Sequence, residues 1–204
     1  MTSLELYLRL LAKERLPTGS TENLVKRISA ILSSDAVISV QGPDLAGVAV
    51  ILGPWKEPKI LLMKRAERKG DPWSGQVALP GGRVQSNDKS MKNTAVRETR
   101  EEMGIDLDKN STFLGYMGLF RARTKGMRVV PSVFRTNKKL RISTNAEIAS
   151  YRWVPLVAFL SEEARSLHSI DRQDTKLTFP AYIFDGYLIW GLTERIISNL
   201  VELI

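Results

Sequence analysis

Glu98, Glu101 and Glu102 lie at i, i+3 and i+4 within Arg97-Glu98-Thr99-Arg100-Glu101-Glu102-Met103-Gly104-Ile105. On a helix this spacing puts the three carboxylates on one face. Like charges so spaced destabilise a helix by about 0.2–0.5 kcal/mol per pair. The stripe continues to Thr94 on one side and Ile105 on the other, so neither neighbour is a cation. Only Arg97, four residues before Glu101, flanks it, and that order of charges is the weaker one. Gly104 is expected to end the helix. Glu101 and Glu102 then fall in the last turn, where the macrodipole disfavours negative charge. Most charge runs are solvated helix faces. This one repels itself and opposes its own dipole, and a bound Mg²⁺ or Mn²⁺ would offset both costs, because hard cations take carboxylate oxygens.

The elements around this face can be read from pattern. The carboxylate helix is predicted over residues 90–103, with Met91, Ala95, Thr99 and Met103 recurring every four positions toward a core. Apolar runs at 47–52 and 60–63 have strand length and are split by the turn-like Gly53-Pro54-Trp55 to Pro58. Residues 76–79 form a short third strand leading into Pro80-Gly81-Gly82. Two more strands, 112–120 and 128–134, are joined by the basic loop 121–126. Residues 147–154 read as a strand and 155–165 as a helix. Tyr182-Ile183-Phe184 and Tyr187-Leu188-Ile189-Trp190 flank Asp185-Gly186, a hairpin turn signal. Leu192, Ile196, Ile197, Leu200 and Leu203 line a final helix. Residues 4–11 and 24–32 read as two helices parted by Pro17-Thr18-Gly19, with Thr21 as N-cap of the second. They suit packing or self-association into a homodimer, and 38–45 connects them to the core domain. Mixed strands with interspersed helices make the fold class α/β or α+β. The expected division is a helical extension over 1–37 and one catalytic domain over 38–204.

The chain has 204 residues, no cysteine and a net charge of +8. That length holds one core domain with an elaboration. Without cysteine, disulfides and thiolate chemistry are excluded. No run of 18 or more apolar residues suggests a transmembrane helix. The N-terminal stretch lacks the apolar centre and cleavage site of a signal peptide. A cytoplasmic protein is the expectation. The positive charge attracts polyanions. Its lysines and arginines are scattered and not interleaved with aromatics, which favours phosphorylated small molecules over nucleic acid or membrane.

With its flanks, the carboxylate segment resembles the Nudix box: Gly, five residues, Glu, seven residues, then Arg-Glu-U-x-Glu-Glu-x-Gly-U, with U aliphatic. Arg97 to Ile105 match the second half, with Thr99 at the first U, and Gly82 of Leu79-Pro80-Gly81-Gly82 is the opening glycine. Counting from Gly82 puts Asp88 at the Glu position with one residue too many before Arg97; counting back from Arg97 puts Lys89 there. The resemblance implies a mixed sheet between helices, an α/β/α sandwich with the motif as loop-helix-loop. It also implies hydrolysis of diphosphate linkages in nucleoside diphosphate derivatives, with a metal to screen the phosphate oxygens and acidify the attacking water. Its ligands would be Glu98, Glu101 and Glu102, with the Gly82 carbonyl, and Arg97 would orient a glutamate. The general base is a box glutamate or one from a later loop. Glu147 stands where Nudix proteins often carry Glu, and equally suits an exposed strand-edge residue. His168, the lone histidine, is expected at the surface.

Leu61-Leu62-Met63-Lys64-Arg65-Ala66 and Gly75-Gln76-Val77-Ala78-Leu79-Pro80-Gly81-Gly82 resemble the coenzyme A pyrophosphatase branch of that family, as does Ile189-Trp190-Gly191-Leu192-Thr193. The resemblance covers residues 45–204. Here Leu79 replaces Phe, and Gly70-Asp71-Pro72-Trp73-Ser74 makes the arginine-containing spacing one residue longer, with Arg68 standing in for the missing arginine. The substrate-binding set implied is Arg65, Arg68, Trp73, Arg83 and Lys125. Trp73 suits either a packing aromatic or a pocket wall. Within the class, ADP-ribose, dinucleotide polyphosphates or damaged nucleoside triphosphates are alternatives. An RNA-binding or cap-processing protein is a reading of another class. A catalytically silent binding module is a third, against which the intact glutamates argue.

Overall fold

Ser90 starts and Gly104 stops the helix that carries the carboxylates. Ser90 is extended, its hydroxyl accepts the Asn93 N–H at 3.1 Å, and Gly104 closes the other end in the left-handed conformation at φ 66°. In the computed structural model the described residues are 21–34, 44–53, 58–122, 126–172 and 175–202, with only the backbone of 21–25 and 172. The predicted helix at 4–11, most of the connection at 38–45, the turn at 54–57 and Lys125 lie outside them.

The strands are β1 (Leu45–Leu52), β2 (Lys59–Arg65), β3 (Val77–Ala78), β4 (Gly81–Arg83), β5 (Ser111–Tyr116), β6 (Phe120–Arg121), β7 (Arg128–Thr136), β8 (Ile148–Pro155), β9 (Arg165–Arg172), β10 (Thr175–Phe184) and β11 (Tyr187–Trp190). The helices are α1 (Thr21–Ile31), α2 (Met91–Met103), α3 (Leu107–Asn110) and α4 (Gly191–Glu202). The main sheet runs β3-β2-β1-β7-β5, with β4 paired to β1, β6 to β7 and β8 to β2. It is mixed: β1 and β7 are parallel, and the other pairs are antiparallel. A second sheet has the order β11-β10-β9.

Alternation along β1 and β2 builds two cores. Ala49, Ile51, Leu61 and Met63 face one side with Ala95, Val96 and Met103 of α2. Val50, Leu52, Ile60 and Leu62 face the other, with Ile28 of α1 and Ile196, Ile197 and Leu200 of α4. Period-two strands buried on both faces demand helices on both sides, and the result is an α/β/α sandwich. Met91, Ala95, Thr99 and Met103 are all fully buried, as their spacing predicts.

The structure differs from the pattern reading in several places, among them strand β4 and the short helix α3, which no pattern marked. The expected helix at 155–165 is two short 3₁₀ turns, Leu156–Leu160 and Glu162–Ala164, because Ser161 interrupts it and caps the second turn. The single strand expected at 112–120 breaks into β5 and β6 at Gly118, which has φ 62°. Strand β9 was hidden by its polar composition and gains its place by pairing along β10. His168 is partly buried, its ring 4.6 Å from that of Trp190. The Asp185-Gly186 hairpin forms as expected, both residues at positive φ.

Candidate functional site

Gly47 brings α2 close to the sheet. A Cβ there would lie 2.6 Å from the Met91 carbonyl oxygen, so only glycine lets the helix start rest on β1. Beside it, β4 crosses β1 through Val48↔Gly81 and Gly47↔Gly82. Gly81 sits at φ 152°, and a side chain there would strike the β1 backbone at 2.5 Å. The Gly-Gly pair is thus pressed between β1 and the carboxylate face of α2.

Glu102 is buried, and its carboxylate accepts the Gly81 N–H at 2.9 Å. Burial pushes its pKa up to about 8; the Gly81 N–H and Arg65 oppose the rise, while Glu98 and Glu147 reinforce it. Arg65 Nη1 is 3.8 Å from it. Glu98 lies against Gly82, where a Cβ would come within 2.5 Å of its carboxylate. Burial raises the Glu98 pKa too, opposed by Arg97 and helped by Glu101.

Arg97 organises the outer edge. Its Nη1 donates to Glu98 at 2.8 Å and reaches Glu101 at 3.3 Å, and Nη2 donates to the Arg83 carbonyl at 2.9 Å. Asp88 accepts from Nε and Nη2, from the Gln85 N–H and from the Thr94 hydroxyl. Burial alone would raise the Asp88 pKa, but these donors hold it below the usual carboxylate value. Of the two positions that counting left open, it is Asp88 that meets Arg97; Lys89 is exposed.

Glu147 arrives from the loop before β8. That loop covers the C-terminal end of α2, where carbonyls lack partners within the helix. The Gly104 N–H takes Arg100 O, Asn145 Nδ2 takes Glu101 O, the Asn145 N–H takes Glu102 O and the Ser143 N–H takes Met103 O. The Glu147 N–H donates to Asn145 Oδ1 at 2.8 Å, and its carbonyl accepts the Ala66 N–H at 2.8 Å. Arg68 lies across it, 3.4 Å from the Glu147 carboxylate and 3.1 Å from Ala146 O.

The arginine-bearing loop is ordered by Asp71. Arg65 donates to Asp71 Oδ2 from Nη2 at 2.9 Å and from Nε at 3.3 Å, and Asp71 Oδ1 accepts the Trp73 N–H at 2.9 Å. The Trp73 N–H, with Arg65 behind it, holds the Asp71 pKa below the usual carboxylate value. Trp73 itself is partly buried against Ala46, Met127 and Val129. Arg83 is exposed on β4.

Glu102 and Glu98 thus meet Gly81 and Gly82, Arg65 reaches Glu102, and Glu147, paired with Arg68, lies on the loop that caps α2. Glu101 points outward, its side chain 53% exposed beside Arg97. Among the described residues no three carboxylates stand ready-made around one point. The donor set nonetheless fits a hard divalent cation. Glu98 and Glu102 are adjacent, desolvated and mutually repelling, and Gly82 leaves the space beside Glu98 free of a side chain. Pattern reading missed the supports Asp71 and Asn145. Each stands two residues before the amide it caps, a local signal of an Asx turn.

A family model described as the NUDIX domain matches residues 44–173. A Nudix hydrolase, NudL, of Photorhabdus laumondii is 34% identical over 76% of this chain and 82% of its own length. An uncharacterized protein of Schizosaccharomyces pombe is 36% identical, covering 62% of this chain and 41% of that one. A peroxisomal coenzyme A diphosphatase of Caenorhabditis elegans is 31% identical over 68% of this chain and 60% of its own. The chain therefore spans less than two thirds of the length of two of these relatives.

Proposed function

The chain belongs to the Nudix hydrolase family, and from that premise we propose that it cleaves the diphosphate linkage of coenzyme A or a related nucleoside diphosphate derivative, with Mg²⁺ or Mn²⁺ as cofactor. The observation that carries this reading is the pair of desolvated carboxylates, Glu98 and Glu102, set against the Gly81-Gly82 backbone. Arg97 and Arg65 each offset one of them, and a divalent cation between the two would relieve the remaining repulsion.

Glu98 and Glu102 would hold the metal, with the Gly82 carbonyl and with Glu101 once it leaves Arg97. When bound, the cation screens the diphosphate oxygens and lowers the pKa of water at the reacting phosphorus. The side chains supply the rest. Arg97 fixes the Glu98 carboxylate, and Asp88 fixes Arg97. Glu147, on the loop that caps the end of α2, accepts the proton of the attacking water. Arg65 and Arg68 face phosphate oxygens, Arg65 pre-set by Asp71. Arg83, Trp73 and Lys125 complete the substrate set. The coenzyme A choice rests on the Arg65 and Pro80-Gly81-Gly82 segments and on the C. elegans relative.

The test is hydrolysis of coenzyme A, acyl-CoA, ADP-ribose, NADH and nucleoside triphosphates with each metal and with EDTA. Coenzyme A is expected to be the best substrate, giving two phosphate monoesters. Glu98→Gln, Glu101→Gln and Glu102→Gln are expected to lose at least ~10³-fold in kcat, since metal charge stabilisation is worth several kcal/mol. Turnover that survives EDTA or these substitutions rejects the mechanism; preference for another diphosphate rejects the substrate.

A further inference from the structure

Asn145 makes hydrogen bonds in two directions. Its Nδ2 donates to Glu101 O at 3.0 Å and its backbone N–H to Glu102 O at 3.0 Å, both on the last turn of α2. Its Oδ1 accepts the Glu147 N–H at 2.8 Å. An amide side chain provides a donor and an acceptor on separate atoms, whereas an ionised carboxylate only accepts and a hydroxyl must do both from one atom. The peptide units that Asn145 grips carry two of the box carboxylates. The peptide unit it caps on its other side carries Glu147.

We propose that Asn145 is a positioning residue that fixes Glu147 against the carboxylate helix, a role whose catalytic consequence rests on Glu147 being the proton acceptor. The Glu147 carbonyl is held independently by Ala66. With Asn145 in place, the backbone is therefore tied on both sides of the Glu147 Cα, and only side-chain rotation remains free. Glu98 and Glu102 have their own supports in Arg97 and Gly81. Loss of the Asn145 side chain then moves Glu147 relative to the other carboxylates and leaves those two in place. A plain helix cap would affect stability alone. A positioning residue also affects kcat in the folded protein.

The test uses the full chain with coenzyme A as probe substrate and four variants: N145A, N145D, E147Q and N145A/E147Q. N145A is expected to lower kcat by ~10²-fold, the scale of an ångström-level misplacement, with KM changed less than ~3-fold. N145D keeps the acceptor for the Glu147 amide but loses the donor to the Glu101 carbonyl, and is expected to recover about tenfold of that loss and not the whole. In the E147Q background, N145A is expected to cost less than ~3-fold more, because residues acting as a unit are not additive. Hydrogen exchange at the Glu147 amide reads the clamp without turnover. It is expected to quicken about tenfold in N145A and to stay near the wild-type rate in N145D. Unchanged exchange in N145A overturns the clamp. A kcat loss that follows the unfolded fraction, or that persists in full beside E147Q, overturns the positioning role. Wild-type turnover by E147Q overturns the proton-acceptor assignment and, with it, the catalytic consequence, while the exchange rates still judge the clamp.

Discussion

Asp88 grips Arg97 with both carboxylate oxygens, at 3.1 Å to Nε and 2.9 Å to Nη2. The contact is the root of a chain that runs from Asp88 through Arg97 to Glu98. Arg97 is charged at any accessible pH, so the chain titrates at its two ends, Asp88 and Glu98.

Asp88→Ala is expected to cost about 1–3 kcal/mol of stability, because it removes two bonds from Arg97 and takes the acceptor from the Gln85 N–H and the Thr94 hydroxyl. Donors hold the folded Asp88 pKa below its ordinary value. Its stabilisation is therefore complete above the unfolded pKa of about 4 and is lost as pH falls through the folded value. Urea unfolding of wild type and Asp88→Asn at neutral pH and in acid checks this, with the difference between them shrinking in acid.

Glu102 behaves in the opposite sense. Its folded pKa, raised to about 8, lies above the ordinary carboxylate value. Below both values the carboxyl is protonated whether the chain is folded or not, and stability does not depend on it. As pH rises from about 4.5 toward 8 the metal-free protein loses stability, by at most about 1.4 kcal/mol for each pH unit crossed. Adding Mg²⁺ or Mn²⁺ is expected to raise Tm more at pH 8 than at pH 6, and Glu102→Gln to flatten both the pH slope and the metal response. A thermal-shift grid of pH against metal measures it. A metal response unchanged by Glu102→Gln would refute this assignment.

Gly82→Ala is expected to lower kcat about 10–100-fold with little change in Tm. The new methyl group must push the Glu98 carboxylate off Arg97, and misplacement of that size is costly to catalysis. Steady-state kinetics beside thermal melting separate the two effects.

Gly47→Ala tests the seat of α2. A methyl group 2.6 Å from the Met91 carbonyl oxygen forces the helix start away from β1. Overpacking of this kind costs about 1–3 kcal/mol, readable as a fall in Tm.

Strands β1 and β2 were legible because burial on both faces leaves long apolar runs, while the α/β/α layering was what the family resemblance implied. The helix was legible because Met91, Ala95, Thr99 and Met103 keep one phase and Ser90 and Gly104 bound it. Strand β9, Arg165–Arg172, has no such mark; its pairing comes from β10. The carboxylates Glu98, Glu101 and Glu102 stood out through spacing that costs a helix stability. What spacing could not give is direction. Glu101 turns out to Arg97 while Glu102 turns in to Gly81, because α2 lies with Glu102 over the glycine pair. The clasp of Asp88 was obscured by an extra residue ahead of Arg97, which the turn at residues 85–88 absorbs through the Asp88 N–H to Gln85 O bond.

The loop that closes the end of α2 also sets when the site comes into being. Asn145 follows Glu101 by 44 residues, and its neighbours reach α2 only as β8 pairs with β2. A nascent chain that has left the ribosome as far as Gly104 carries the whole box with β1, β4 and Arg65 but lacks Glu147 and the loop that closes the end of α2. Competence requires the β2–β8 pairing, a long-range contact whose loop-closure entropy is met before the contact repays it. A partly made or partly unfolded molecule would expose the glutamates as ordinary surface charge.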